Sequence, residues 1–289
     1  MEDAAVAGRV MRAIEPLHSM IYFAPEAEAA YQQIGLKPGR MGYFASRSAA
    51  MGAVGGGVVA ATFYNFSPSL VAKYIPAAWA LASPADILSA RLQAVEQALT
   101  RLLGAEALAS EQFSELTGLV RLASDGCWPE GRPLYAAHAD LDWPQSDVLV
   151  CWQAIALLRE HRGDGHIAAL VNAGYSGVQA LVLHTLTGKG FVPAFAQKSR
   201  GWSEQEWGAA VEVLADRGLV ADGALTAKGV AARQQVEDDT DRNAIAVLGH
   251  LPTDQIDRIV TLGRTFRDTA NAAGAFPPNV FAAGSDRAR

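Results

Sequence analysis

Tyr43 and Arg47 stand four residues apart in the stretch GYFASRSAAMG, so a helix there carries both on one face. The flanking residues are Ala, Met and Gly, which predicts a partly buried Arg47, and a buried guanidinium must find an anion. Two kinds of partner qualify: Glu26 or Glu28 in a salt bridge, or a carboxylate, phosphate or propionate on a ligand. The run Gly55-Gly56-Gly57 follows. Three glycines cost a helix about 0.8–1 kcal/mol each against alanine. Such a run suits a place where another helix or a flat ligand approaches the backbone. Tyr64 and Asn65, between Phe63 and Phe66, supply an aromatic wall and an orienting amide. Upstream, EPLHSMIYFAPE brings His18, Tyr22 and Glu26 into apolar sequence. Together His18, Tyr22, Glu26, Tyr43, Arg47, Gly56, Tyr64 and Asn65 make the expected binding set, suited to a small organic molecule with an anionic group and a flat apolar body.

His18 carries three readings: a satisfied core residue, a ligand contact or general base, and an axial haem ligand. Neither a c-type haem motif nor a zinc pattern accompanies it. The second place for chemistry is HRGDGH, His161 to His166. Its simplest reading is a helix–helix corner at Gly163, with Asp164 capping a helix that begins at His166 and pairing with Arg162. In the alternative, His161, Asp164 and His166 converge on one ligand, as a metal site or an acid–base set. His138 in HADLDW is a weaker candidate. No nucleophile–base pair or metal signature identifies a reaction.

The elements that would position these residues are almost all helical. Pro25 opens a helix that Gly35 closes, and Ser83 caps SPADILSARLQAVEQALTRLLG with apolar residues at helical spacing. AAMGAVGGGVVAATFYNF reads as a buried central helix. CWPEGRPLYAAHADLDWPQSD has three prolines and no sustained period, so it reads as an ordered connection. The expected division is a helical ligand-binding domain over 1–126, the connection over 127–147, a helical and winged-helix domain over 148–281, and a fraying tail over 282–289. The fold class is mainly α: a multi-helix N-terminal domain plus a winged helix-turn-helix unit with a short β-hairpin wing.

The wing is the best-marked part. Ser203 and Glu206 form a capping box before a helix that buries Trp207, Val211 and Leu214, and Gly218 ends it. Asp222-Gly223 is then a strong hairpin signal, and a new helix starts near Thr226. Trp202, just before the cap, is free to face another part of the chain. LADRGLVADGALTAKGVAARQQVE resembles the recognition helix, wing and linker of MarR-type regulators. With PLHSMIYFAPEAEAAYQQIGL at one end and RGW…EW…RGLV…LT…G at the other, the chain is similar to an actinobacterial helix-turn-helix-like family. The resemblance implies the fold and no reaction.

Charge argues against DNA reading. A groove-reading helix needs Lys, Arg, Asn or Gln, and phosphate contacts supply most of the affinity. The helix from Ser203 offers Glu204, Glu206, Glu212 and Asp216 against Arg217, and EDDTD follows at Glu237 to Asp241. The whole chain of 289 residues carries −6, a repulsion that a homodimer would double. The expected partner is therefore a small anionic ligand, with no nucleic acid and no membrane. At 50% hydrophobic the chain can bury a sizeable core. Its two cysteines, Cys127 and Cys151, read as buried thiols rather than a disulfide framework. The N-terminus shows no signal peptide, which predicts a soluble, cytoplasmic protein. Three functions remain: a small-molecule-binding protein, such as an enzyme of specialised metabolism, whose winged helix leaves DNA alone; a ligand-responsive regulator; and a protein that holds haem or another planar cofactor.

Overall fold

The computed structural model describes residues 4–285 and Arg287. The described residues hold fifteen α-helices and one two-stranded sheet, a mainly α fold with a short hairpin. The first helices are α1 (Ala5–Ser19), α2 (Pro25–Gln33), α3 (Arg40–Ser48), α4 (Gly56–Phe63) and α5 (Pro68–Ala72). Next come α6 (Pro84–Leu103), α7 (Ala105–Leu108), α8 (Glu111–Ser124) and α9 (Pro133–Ala139). The long α10 (Asp147–Asn172) leads to α11 (Gly177–Thr185), α12 (Pro193–Arg200) and α13 (Glu204–Asp216). Strands β1 (Val220–Ala221) and β2 (Ala224–Leu225) precede α14 (Ala227–Ile245) and α15 (Thr253–Ala272).

Helix α10 is the shared strut. It packs on α1, α8, α9 and α14. Cys151 to Leu158 belong to a large core drawn from α1 through α8 and from α15, whereas Ala169 and Leu170 belong to a smaller core with α11, α13 and α14. Burial thus runs across the segments that the sequence divides at 126 and 147. The connection also holds the helix α9, started by Pro133.

Two expectations about helices need correction. HRGDGH is not a corner: α10 runs through Gly163 and Gly165 unbroken. Glycine weakens an isolated helix, but here tertiary packing decides. A Cβ on Gly165 would lie 2.7 Å from Arg132 Nη1 and 3.2 Å from Asn243 Cβ, so a larger residue would have to displace the Arg132 guanidinium and crowd Asn243. Asp164 does cap a helix, but α9 rather than one starting at His166: its Oδ2 accepts the N–H groups of Leu134 (3.0 Å) and Tyr135 (2.9 Å). The second correction concerns AAMGAVGGGVVAATFYNF. It is no central helix but a 3-10 turn (Ala49–Met51), a bend over 52–55, and the short α4, on which Val58 is 48% exposed. Gly56 is pressed to 2.8 Å of Ile75 O by its notional Cβ, while Gly55 and Gly57 face nothing within 4 Å. Only one of the three glycines is there for a close approach, and that approach is a protein carbonyl.

The winged unit follows its local signals. Ser203 and Glu206 make the capping box of α13, and Gly218 takes positive φ after it. Val220 pairs with Leu225 and Ala221 with Ala224 around Asp222-Gly223, both at positive φ as a two-residue hairpin turn demands. Thr226 caps α14. Leu214 is buried as expected, but Trp207 and Val211 are half-buried, so Trp207 is no deep anchor. Trp202 does reach away from the unit, donating its indole N–H to Asn65 O at 2.9 Å. Of the tail, Ala282 and Gly284 donate to Gly190 O and Gly188 O. Described residues after Ala282 are therefore held rather than frayed; 286, 288 and 289 lie outside the described residues.

Candidate functional site

The middle of α10 carries Trp152, Arg159 and Glu160 inward, where α1 and α3 meet it. Glu160 is 1% exposed and takes Arg47 side-on, with Nε–Oε1 at 3.2 Å and Nη2–Oε2 at 2.8 Å. Arg159 Nη1 donates to the same carboxylate at 2.5 Å, and its Nε donates to Glu15 at 3.2 Å. The expected partners of Arg47, Glu26 or Glu28, are corrected to Glu160. Burial alone would raise the Glu160 pKa, but Arg159 and Arg47 overcome it and hold the carboxyl well below the carboxylate range. The i, i+4 spacing of Tyr43 and Arg47 does place both here. Burial opposes Tyr43 ionisation, yet the guanidiniums of Arg47, Arg200 and Arg159 lower its pKa from 10. Tyr22 meets Tyr43 edge-on at 5.0 Å and is pushed up to about 12 by burial.

His18 joins this cluster as a core residue. Its ring stacks on Trp152 at 4.7 Å, meets Tyr22 edge-on, and is 2% exposed. Burial, then Arg159, pushes its pKa well below 6.5, so it is neutral. A porphyrin does not fit against a ring stacked and enclosed in this way without rebuilding the core.

The other expected members lie elsewhere. Glu26 pairs with Arg101 at the surface. Gly56 packs on Ile75, as described. Tyr64 gives its hydroxyl to Tyr175 O at 2.5 Å, and the Asn65 carbonyl accepts Trp202, so this pair ties the N-terminal helices to the winged unit. His161, Asp164 and His166 do not converge. Successive helix positions turn by about 100°, and each side chain finds its own neighbours. His161 lies against the rings of Trp128 (4.4 Å) and Tyr135 (5.2 Å), Asp164 caps α9, and His166 bonds Thr240 Oγ1 at 2.8 Å. Among the described residues no three His, Cys, Asp or Glu side chains could hold a metal. A cavity beside His161 has room for about 20 Å³, which suits a water and not an organic ligand. Cys151 is buried and Cys127 half-buried; burial pushes both thiols up to about 12, away from reactivity.

Sequence reading missed Glu160, Arg159, Arg91 and Arg200. For Arg159 and Glu160 a signal exists: they are charges inside an otherwise apolar helix, DVLVCWQAIALLREHRG. Arg91, 3% exposed, donates to Ser46 O and lies 3.2 Å from His138 Nε2. Arg200 stands with its guanidinium 4.8 Å from the Phe66 ring centre and 4.7 Å from that of Phe191. Tyr22, Tyr43, Arg47 and Arg200 are each half-buried.

Residues 7–277 match the model of a helix-turn-helix family. The chain belongs to that helix-turn-helix family. No curated protein and no solved structure matches it. In this helix-turn-helix protein the outer face of α13 is acidic, with Glu204, Glu206, Glu212 and Asp216 exposed. Four basic residues in and beside the winged unit are already engaged. Arg217 donates to Gly174 O and Ala173 O, closing the C-terminus of α10, and Lys228 Nζ donates to Arg217 O at 2.7 Å, closing α13. Arg233 and Arg162 are paired with Glu237, and Arg162 also with Asp241. Among the described residues no single helix is long and apolar enough to cross a membrane.

Proposed function

We propose that this helix-turn-helix protein binds a small organic molecule in the recess around Tyr22, Tyr43 and Arg47, and that its winged unit is a structural module that does not read DNA. One observation carries the reading: guanidinium groups outnumber carboxylates around an aromatic recess. The charges of Arg40, Arg47, Arg159 and Arg200 all act on Tyr43, against the carboxylates of Glu160 and Glu15 that pair with Arg47 and Arg159. Arg40 and Arg200 lose hydration and gain no carboxylate partner among the described residues, Arg200 being left to its aromatic neighbours. A ligand that supplies negative charge and a flat surface does have a use for them.

Electrophoretic mobility of labelled duplex DNA, random and from the upstream region of the protein's own coding sequence, separates this from a MarR-like regulator. At about 50 mM salt even nonspecific binders with Kd near 10⁻⁴–10⁻⁶ M retard DNA. The expected result is free DNA throughout the micromolar range. Retardation that weakens steeply as salt rises would mean that cations outside α13 face the phosphates, and would favour the regulator.

A further inference from the structure

We propose that Arg200 is the anion receptor of the recess and that its ligand is a flat aromatic or conjugated carboxylate. This rests on the ligand-binding reading and names the residue and chemical class that the reading leaves open.

Arg47 cannot be that receptor, because its side-on edge, Nε with Nη2, is filled by Glu160. Arg200 presents the same edge differently. Its Nη1 donates to Ser199 Oγ at 3.0 Å, Nε is buried with no partner, and Nη2 makes no hydrogen bond to the protein among the described residues. No carboxylate pairs with Arg200 among the described residues. Nε and Nη2 are the two donors that a carboxylate takes in its two-point geometry. Burial lowers the Arg200 pKa to about 10, which still leaves it charged at neutral pH.

The guanidinium is also held in place. Its faces lie against Phe66 and Phe191, which fix the plane of the fork. Its backbone is pinned as well: Arg200 O accepts Ser67 N–H at 2.9 Å, and Gly201 turns away in the left-handed region. Arg40 adds a second cation, itself without an ion pair among the described residues, and its charge acts on Arg200. The half-buried Phe191, Tyr43 and Phe23 provide the aromatic walls, backed by the buried Phe66. A preorganised planar donor edge between aromatic walls selects a planar acid. A free inorganic anion would have no use for the walls.

The test is isothermal titration of the full-length protein with benzoate and 2-naphthoate, with their neutral amides, and with inorganic phosphate. At least one acid should bind, and its amide should bind about 30-fold more weakly or worse, the loss expected when a desolvated charge pair is broken. Arg200→Gln should abolish the preference for the acid, and Arg200→Lys should restore part of it. The acid-to-amide ratio of the unaltered protein needs no variant, so misfolding of Arg200→Gln cannot shelter the proposal. Equal binding of acid and amide, or a preference that survives Arg200→Gln, overturns the role of Arg200 and leaves the recess as a binding site. Phosphate displacing the acid at equal affinity overturns the planar class. Failure of every compound at millimolar concentration overturns both the receptor and the recess.

Discussion

Lowering the pH from about 7.5 to about 5.5 should cost the protein on the order of 5 kcal/mol of stability, a large fraction of what a domain has. Five of the six histidines are enclosed, and burial is the main cause in each. His138 and His184 are pushed to about 4, His161 and His166 to about 3, and His18 well below 6.5. Arg91, Arg132 and Arg233 reinforce burial at His138, His161 and His184. The sign follows from proton binding. These rings stay neutral in the fold, while in the unfolded chain they bind protons below about pH 6.5. Their contribution is therefore present above 6.5 and is lost as pH falls toward 4. Each ring accounts for up to roughly 1.4 kcal/mol over this interval. Asp164 works the other way: burial raises it to about 6, so protonation over the same range favours the fold. One opposing group does not balance five. Urea unfolding at both pH values reads the effect as a fall in midpoint. A midpoint that stays constant would mean that these rings are protonated within the fold.

Removal of Glu160 should cost about 3–5 kcal/mol, because Arg47 loses its carboxylate and Arg159 keeps only Glu15. Glu160→Ala should lower the melting temperature by roughly 10 °C. Replacing the pair together, Arg47→Met with Glu160→Leu, should recover most of that loss, since no uncompensated charge remains. Thermal melts of the three proteins decide it. A double variant no more stable than Glu160→Ala would show that the pair is held by something other than mutual charge compensation.

The sequence made the winged unit legible because every signal there is local. Ser203 with Glu206, Asp222-Gly223 and Thr226 each act within a few residues. The candidate site was only half legible. The helical spacing of Tyr43 and Arg47 placed them together, and His18 and Tyr22 joined them. Their charged counterpart, Glu160, lies 113 residues from Arg47, beyond any local rule. Glycines misled in both directions. The triple run looked like a binding floor but ends in a short surface helix. Gly163 and Gly165 looked like a break but lie inside α10, where Arg132 and Asn243 press against the second of them. Local cost predicts a break only when no tertiary contact depends on the missing side chain. Arg200 went unnoticed because its meaning comes from the Phe66 ring, distant in sequence, and from the fold that brings Phe191 to its guanidinium.

Native mass spectrometry tests the central claim, that the recess holds a small molecule, most directly. The protein is sprayed as purified and again after incubation with millimolar small organic acids, then compared with its denatured mass. The account predicts a one-to-one adduct in at least one of these samples, released on denaturation and lost in Arg200→Gln. The bare chain mass in every sample would contradict it.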